Sequence, residues 1–288
     1  MMTDGDVSAL DRADESEKSL GANRAGQMAI SELLLAQSQV APRSLLARIF
    51  GLSPLSLDTN GLYRGVVSEI EVGAALDRLG ADWSVLHALP ADPGSGEFGS
   101  GDIDHLVVGP AGVFVVATKN HSGNNVWASQ RTLLVAGVRH PHIRNLALEM
   151  GRAERSLTAA AGYAVEVSGI IAMVAAKSLV VREKHRDVAV LGASHIVGWL
   201  QRHKRVLRAA QVSHISTAAS LASTWFQSAA DGDCPTALRR QFEVLRADVG
   251  RARRTQVAWA IAFSALGIGT FAGITYSILL TAVGASGF

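Results

Sequence analysis

Two residues at the ends of one run, Asp104 and Lys119, carry the types and spacing that do phosphate chemistry. Between them lie two short apolar stretches joined by Gly109-Pro-Ala-Gly112, which reads as a hairpin with the carboxylate opening the first strand and the amine closing the second. A carboxylate and a lysine brought together at a sheet edge can hold a divalent cation and a positive charge beside one phosphate. Such a site takes a second acid two residues before the lysine. That position is Ala117.

Each candidate also has a plainer role. Asp104 can cap the strand entry through nearby backbone, and Lys119 can be a solvated loop lysine ahead of Asn120-His-Ser-Gly123. His105 alternates with Asp104, so it faces the other side of the strand and reads as a hydrogen-bonded structural histidine. His140 and His142 flank Pro141, a spacing that can hold a metal, but no Cys or carboxylate pattern accompanies it.

The chain of 288 residues is 48% hydrophobic and 18% charged, with a formal charge of +2. That is ample for one or two packed domains, and the near-neutral charge favours no class of partner. The single cysteine, Cys234, excludes an internal disulfide and a cysteine zinc cluster, and fits a reducing compartment. Residues 1–24 are acidic with no apolar core, so they read as a solvated disordered arm rather than a signal peptide.

From Val257 to Val283 runs VAWAIAFSALGIGTFAGITYSILLTAV, without a charged residue. At roughly 1.5 Å per residue it spans about 40 Å, enough to cross a hydrocarbon core with some tilt. Arg251, Arg253 and Arg254 precede it and no charged side chain follows it, so the positive-inside rule predicts a tail anchor with the globular part in the cytoplasm. Ala265, Gly269, Gly273 and Ser277 recur every four residues and would let two such helices approach as a homodimer. Two basic stretches stand out. Arg202, Lys204, Arg205 and Arg208 cluster together, and six arginines lie between Arg239 and Arg254. Either suits nucleic-acid phosphates, and the second, beside the anchor, suits anionic lipid headgroups.

The pattern predicts a helical lead-in over 25–50, broken near Pro54, and an amphipathic helix from Val66 to Leu79. Trp83–Leu89 reads as a strand, Asp92–Gly101 as a loop, and 103–118 as the hairpin. A second hairpin joins Val126–Ala128 to Thr132–Val135. A helix over Ile143–Ala161, strands at Ser168–Ala175 and Val188–Leu191, and a helix over Ile196–His203 complete an α/β/α arrangement on one central sheet.

Gly65-Val-Val-Ser-Glu69, Leu76-Asp-Arg-Leu79, Trp83-Ser-Val-Leu-His87 and the run from Ile103 to Lys119 together resemble the nuclease-related domain, NERD, over roughly residues 60–165. That family is grouped with the PD-(D/E)-x-K restriction-endonuclease-like superfamily. The resemblance implies a helix, a three- to four-stranded sheet and a helix, with a role in DNA processing. It also implies a site of a helix glutamate, a strand aspartate and an acid-x-lysine pair. The glutamate falls on Glu69, with Glu71 close by, the aspartate on Asp104 and the lysine on Lys119; the remaining acid falls on Ala117. Val66-Val67-Ser68 also replaces the small, Gly-containing lead before the family's glutamate.

The fold class expected is α/β, a restriction-endonuclease-like mixed sheet flanked by helices with a C-terminal transmembrane helix. Its divisions are 1–24 acidic arm, 25–58 helical lead-in, 59–165 NERD domain, 166–250 α/β extension and 257–283 transmembrane helix. The functional expectation is a cytoplasm-facing, membrane-anchored module that contacts DNA, with Mg²⁺ or Mn²⁺ held weakly by Asp104 and Glu69 because Ala117 cannot ligate. Glu149 or Asp102 could replace the lost ligand. The alternative is a catalytically inactive binding or scaffold module at the membrane.

Overall fold

The computed structural model describes residues 19–90, 102–183, 185–225 and 235–285. The acidic arm up to residue 18, the predicted loop 92–101 and Cys234 lie outside the described residues, as do the side chains of Gly269 and Ser277. Two compact units divide the chain: Met1–Leu33 with Gly61–Arg239, and Leu34–Asn60 with Arg240–Phe288.

The first unit is built on a five-stranded mixed sheet. Strands β1 (Ser84–Leu89), β2 (Ile103–Gly109) and β3 (Gly112–Asn120) are antiparallel. The sheet continues in parallel through β7 (Val167–Val174) and β9 (Val188–Gly192). Because strand side chains alternate, β3 feeds both cores. Val113, Val115 and Ala117 face one side, while Phe114 and Val116 face the other.

On the first side, α4 (His142–Ala161) buries Ile143, Leu146, Met150, Ala153 and Leu157, a stripe at intervals of three and four residues. Helix α6 (Ala209–Ser220) adds Val212, Ile215 and Ala219 there, and α7 (Ala222–Trp225) adds Trp225. On the second side, α3 (Leu57–Leu76) contributes Val72 and Leu76, and α5 (Ile196–Arg202) contributes Ile196 and Leu200. The three layers expected are therefore present.

A second, four-stranded sheet was not expected. The predicted hairpin forms as β4 (Asn125–Ala128) and β5 (Leu133–Val135), and it is extended by β6 (Val138–His140) and β8 (Ser178–Val181) in the order β6-β5-β4-β8. β6 has three residues and β8 is largely exposed, so neither shows the apolar alternation that marks a strand. Helix α3 starts nine residues before the predicted boundary at Val66. Ser56 and Thr59 exchange side-chain to backbone hydrogen bonds of 3.1 and 2.9 Å, a cap that the glycines at 61 and 65 obscure in the sequence. α6 and α7 were not predicted.

In the second unit the lead-in divides into α1 (Gln27–Ser38), which begins in the first unit, and α2 (Leu45–Ile49), with Pro42 between them. The unit's long helix is α8 (Pro235–Ala285). Over Thr236–Thr275 it is long and apolar enough to cross a membrane. Its most apolar window has a mean hydropathy of 1.8, and none of that window is buried.

Candidate functional site

The β2–β3 ladder runs from Gly109↔Gly112 to His105↔Val116 and stops there. One step further in the same register, Ala117 stands opposite Asp104. The N–H of Thr118 turns to the side chain instead, donating to Asp104 Oδ2 at 2.6 Å. On the other flank, Ala88 of β1 takes a positive φ of 49°. Its carbonyl accepts from Asn23 Nδ2 at 2.9 Å. Asp104 thus sits where the ladders on both sides give way, with its carboxylate held by the Thr118 N–H and facing the charge of Lys119.

Lys119 lies two residues beyond Ala117, and the pleat puts both on the face that Asp104 shares. Helix α3 is tied to this end of the sheet. Asn120 Nδ2 donates to Ser68 Oγ at 2.7 Å, and Ser68 is buried. That bond holds the neighbouring Glu69 over the strand ends, whereas Glu71 is exposed.

The electrostatics show which groups converge. Burial first, then the Asp104 charge, pushes the Glu69 carboxyl up to about 9, with Lys119 opposing and Asp102 and Glu32 adding to the rise. Asp104 is itself raised by burial, against the pull of Lys119 and the Thr118 N–H. Glu149 of α4 is pushed up to about 7 by burial and then by Asp104, with Lys119 and Arg152 opposing. Glu69, Asp104, Glu149 and Asp102 therefore share one field around Lys119. Burial first, and neighbouring carboxylates second for Glu69 and Glu149, disfavour ionisation, so these acids hold their protons to higher pH than isolated ones.

Histidines close the site on both faces of the sheet. Behind it, His87 Nδ1 and His105 Nδ1 are 2.8 Å apart. His105 Nε2 reaches Thr118 Oγ1 at 3.4 Å, and Asp77 Oδ1 lies 3.1 Å from His87 Nε2. His105 is fully buried, hydrogen-bonded, and held below the ordinary histidine pKa by burial and by His87. Gly73 of α3 permits this packing, since a Cβ there would lie 2.4 Å from Ala25 Cβ and 3.4 Å from both imidazoles.

Beside Lys119, the rings of His121, His140 and His142 lie 5.1–5.3 Å apart, and His121 Nε2 is 3.0 Å from His142 Nε2. Burial, then Lys119 and the other two histidines, pushes His142 down to about 3. The His140-Pro-His142 spacing was visible in the sequence, but its third member was not. His121 comes from the end of β3, and only the fold brings it there.

The predicted basic cluster does not join the acids. Val206 and Leu207 donate their N–H groups to Pro110 O, at the β2–β3 turn. At about 3.3 Å per residue, the seven steps from Gly112 to Lys119 put that turn roughly 23 Å from the acid end. Arg202, Lys204 and Arg205 are exposed there, and Arg205 pairs with Asp82 at 2.9 Å. In the second unit Arg253 and Arg254 are exposed on α8, and Arg251 reaches Asp248 at 3.3 Å.

The donor chemistry suits a hard divalent cation, since all the converging acids offer carboxylate oxygen. The arrangement does not fit one as it stands. Among the described residues, no group of three or more His, Cys, Asp or Glu side chains is placed to hold a metal ion. The buried Ala117, 4% exposed, occupies the position from which a further oxygen would come.

The first unit is thus a mixed sheet between helix layers, with an aspartate and a lysine near adjoining strand ends and a helix glutamate in the same field. Residues 64–174 match the family model of NERD, the nuclease-related domain. The match begins in α3, takes in β1 to β6 and α4, and ends with β7. It is consistent with the PD-(D/E)-x-K-like superfamily, whose nucleases usually use divalent metals. No curated protein and no solved structure matches the chain.

Proposed function

We propose that this chain is a membrane-anchored, cytoplasm-facing NERD module that contacts DNA, with its acid-x-lysine site impaired at Ala117. The observation that carries the reading is the place of Ala117: buried on β3, in register with Asp104 and two residues before Lys119 on the same face. Glu69 and Asp104 are the residues we assign to the remaining metal-binding and catalytic roles, and Mg²⁺ or Mn²⁺ is the cofactor class implied. Lys119 places its ammonium where a phosphate would carry negative charge. Arg202, Lys204 and Arg205 supply a basic surface at the other end of the hairpin for backbone phosphates.

Glu69 at about 9 is largely protonated at neutral pH and Glu149 at about 7 only partly ionised, which favours weak metal binding and the catalytically inactive alternative as the second reading. Supercoiled plasmid, incubated with the full chain in detergent micelles across Mg²⁺ and Mn²⁺, separates the two. We expect Lys119→Ala to weaken DNA binding in anisotropy and to remove whatever metal-dependent nicking the wild type shows. Nicking that Lys119→Ala leaves intact would sink the assignment of Lys119, and absence of DNA binding by the wild type would sink the module itself.

Orientation rests on Arg251, Arg253 and Arg254 ahead of the uncharged span. These arginines also suit anionic headgroups. A reporter fused after Phe288 is expected outside the cytoplasm and one before Met1 inside; the reverse pattern would overturn the orientation. Homodimerisation through Ala265, Gly269, Gly273 and Ser277 belongs to the same reading and is supported by their four-residue spacing.

A further inference from the structure

Helix α2 is short and strongly apolar, and water is the wrong solvent for it. Ser44 caps its start, Oγ accepting from the Ala47 N–H at 3.2 Å. Leu45, Leu46 and Ile49 then fall on one face, 77%, 66% and 54% exposed. Phe50 and Leu52 continue the patch at 44% and 50%. Single exposed apolar residues need no explanation, but five of them within eight positions form a contiguous patch that calls for a partner.

The way this segment is fastened identifies the partner. Gly51, at φ +71°, packs its backbone so closely on α8 that a Cβ would lie 2.5 Å from Ala252 O and 2.6 Å from Gln256 N. Trp259 Nε1 donates to Ile49 O at 2.8 Å, and the Phe50 and Trp259 rings are 5.4 Å apart. Arg43 donates to Leu52 O at 2.8 Å and also pairs with Asp248. All these contacts lie within the second unit. They fix α2 beside the turns of α8 where Arg251, Arg253 and Arg254 give way to the uncharged run from Val257.

On α8 itself, Val257, Ile261 and Phe263 are exposed in the same region. The α2 patch is therefore continuous with the surface of the apolar span. A tryptophan whose ring sits among apolar groups while its N–H bonds a carbonyl is the side chain that favours a membrane–water interface. Exposed Arg48, Arg253 and Arg254 add positive charge at that level, complementary to anionic headgroups.

We propose that α2 and the segment through Leu52 form an interfacial element that inserts Leu45, Leu46, Ile49 and Phe50 into the headgroup and upper acyl region of the bilayer. This gives the chain a second membrane contact beside its span. The proposal rests on the reading that α8 crosses the membrane, and its test separates the two.

The full chain, with Cys234→Ser, is reconstituted into nanodiscs of phosphatidylcholine and phosphatidylglycerol. A single cysteine carrying an environment-sensitive fluorophore is then placed by Leu46→Cys, by Ile49→Cys as a second report on the same face, by Phe263→Cys within the span, or by Arg240→Cys on the water side. Lipids with a nitroxide high on the acyl chain should quench the labels at 46 and 49 at least about twofold more than lipids with a deep nitroxide. The label at 263 should be quenched, and the label at 240 should not. If 263 is quenched while 46 and 49 are not, α2 lies in water and the proposal fails with the span intact. If 263 is not quenched, the span reading falls and this proposal falls with it.

Discussion

Ala117→Asp is expected to make the protein's stability depend far more strongly on divalent ions than the wild type's does. Without metal, the new carboxylate enters a cluster in which Glu69, Asp104 and Glu149 already resist ionisation, so the variant should melt below the wild type at pH 8 in chelator. A divalent ion reverses that penalty, because it binds the folded cluster and not the unfolded chain. Once the metal exceeds its dissociation constant about a hundredfold, the linkage supplies about 2.7 kcal/mol. For a domain of this size that corresponds to roughly 5–10 °C in Tm. The wild type, with Ala at 117, should shift far less in the same Mn²⁺ titration. Equal shifts in the two proteins would show that position 117 does not face the acid cluster, and the impaired-site reading would go with it. Plasmid nicking gained by the variant and removed by adding Lys119→Ala would extend the result from binding to chemistry.

The core of the candidate site was legible because it is local. Asp104 and Lys119 stand at the two ends of one hairpin, so an antiparallel ladder was bound to bring them near each other, and Ala117 was bound to share the lysine's face. Glu69 followed only from the family resemblance. What secures it in space, the Asn120 to Ser68 hydrogen bond, joins residues 52 positions apart and has no signature in sequence. The same holds for the His87–His105 pair and for the meeting of His121 with His142. Each needs two strands or a strand and a helix to be placed first.

The basic stretch at Arg202–Arg208 shows the opposite case. Its composition suggested phosphate binding but not a position, and the chain returns it to the Pro110 turn, the far end of the hairpin from the acids. Charge clustering along the sequence reports a surface and not its address. In the fold, the second sheet escaped because its added strands are short or exposed, so period-two alternation had too few residues in which to show. In sequence, the leucines of α2 read only as part of a helical lead-in. Leu-Leu-Ala-Arg-Ile is equally good as a core turn, and only its exposure beside Trp259 separates the two.

Glu69→Gln is expected to stabilise the protein at neutral and alkaline pH and to leave it little changed in acid. The folded state holds the Glu69 proton up to about pH 9, whereas an ordinary glutamate releases it near 4.5. Between those values the unfolded chain has lost a proton that the folded chain keeps, so folding becomes less favourable as pH rises through the window and levels off above about 9. At about 1.4 kcal/mol per pH unit, the penalty carried by the wild type reaches on the order of 4 kcal/mol at pH 7.5. Glutamine has the shape of the protonated acid and no proton to lose, so it removes the penalty without opening a cavity. The histidines act with the opposite sign. His142, held to about 3, draws stability down as pH falls below 6.5, because the unfolded imidazole gains a proton that the folded one refuses. That contribution is common to wild type and variant and cancels in their difference. The measurement is therefore the difference in Tm between Glu69→Gln and wild type, full chain in detergent, from pH 4.5 to pH 9. It should start near zero and grow to roughly 10 °C by pH 8. A difference of the same size at pH 5 and pH 8 would mean that the substitution acts through packing, and that Glu69 does not sit in the field of Asp104. The same substitution should weaken any divalent-ion binding, so an acid that destabilises the fold is one that the proposed function needs.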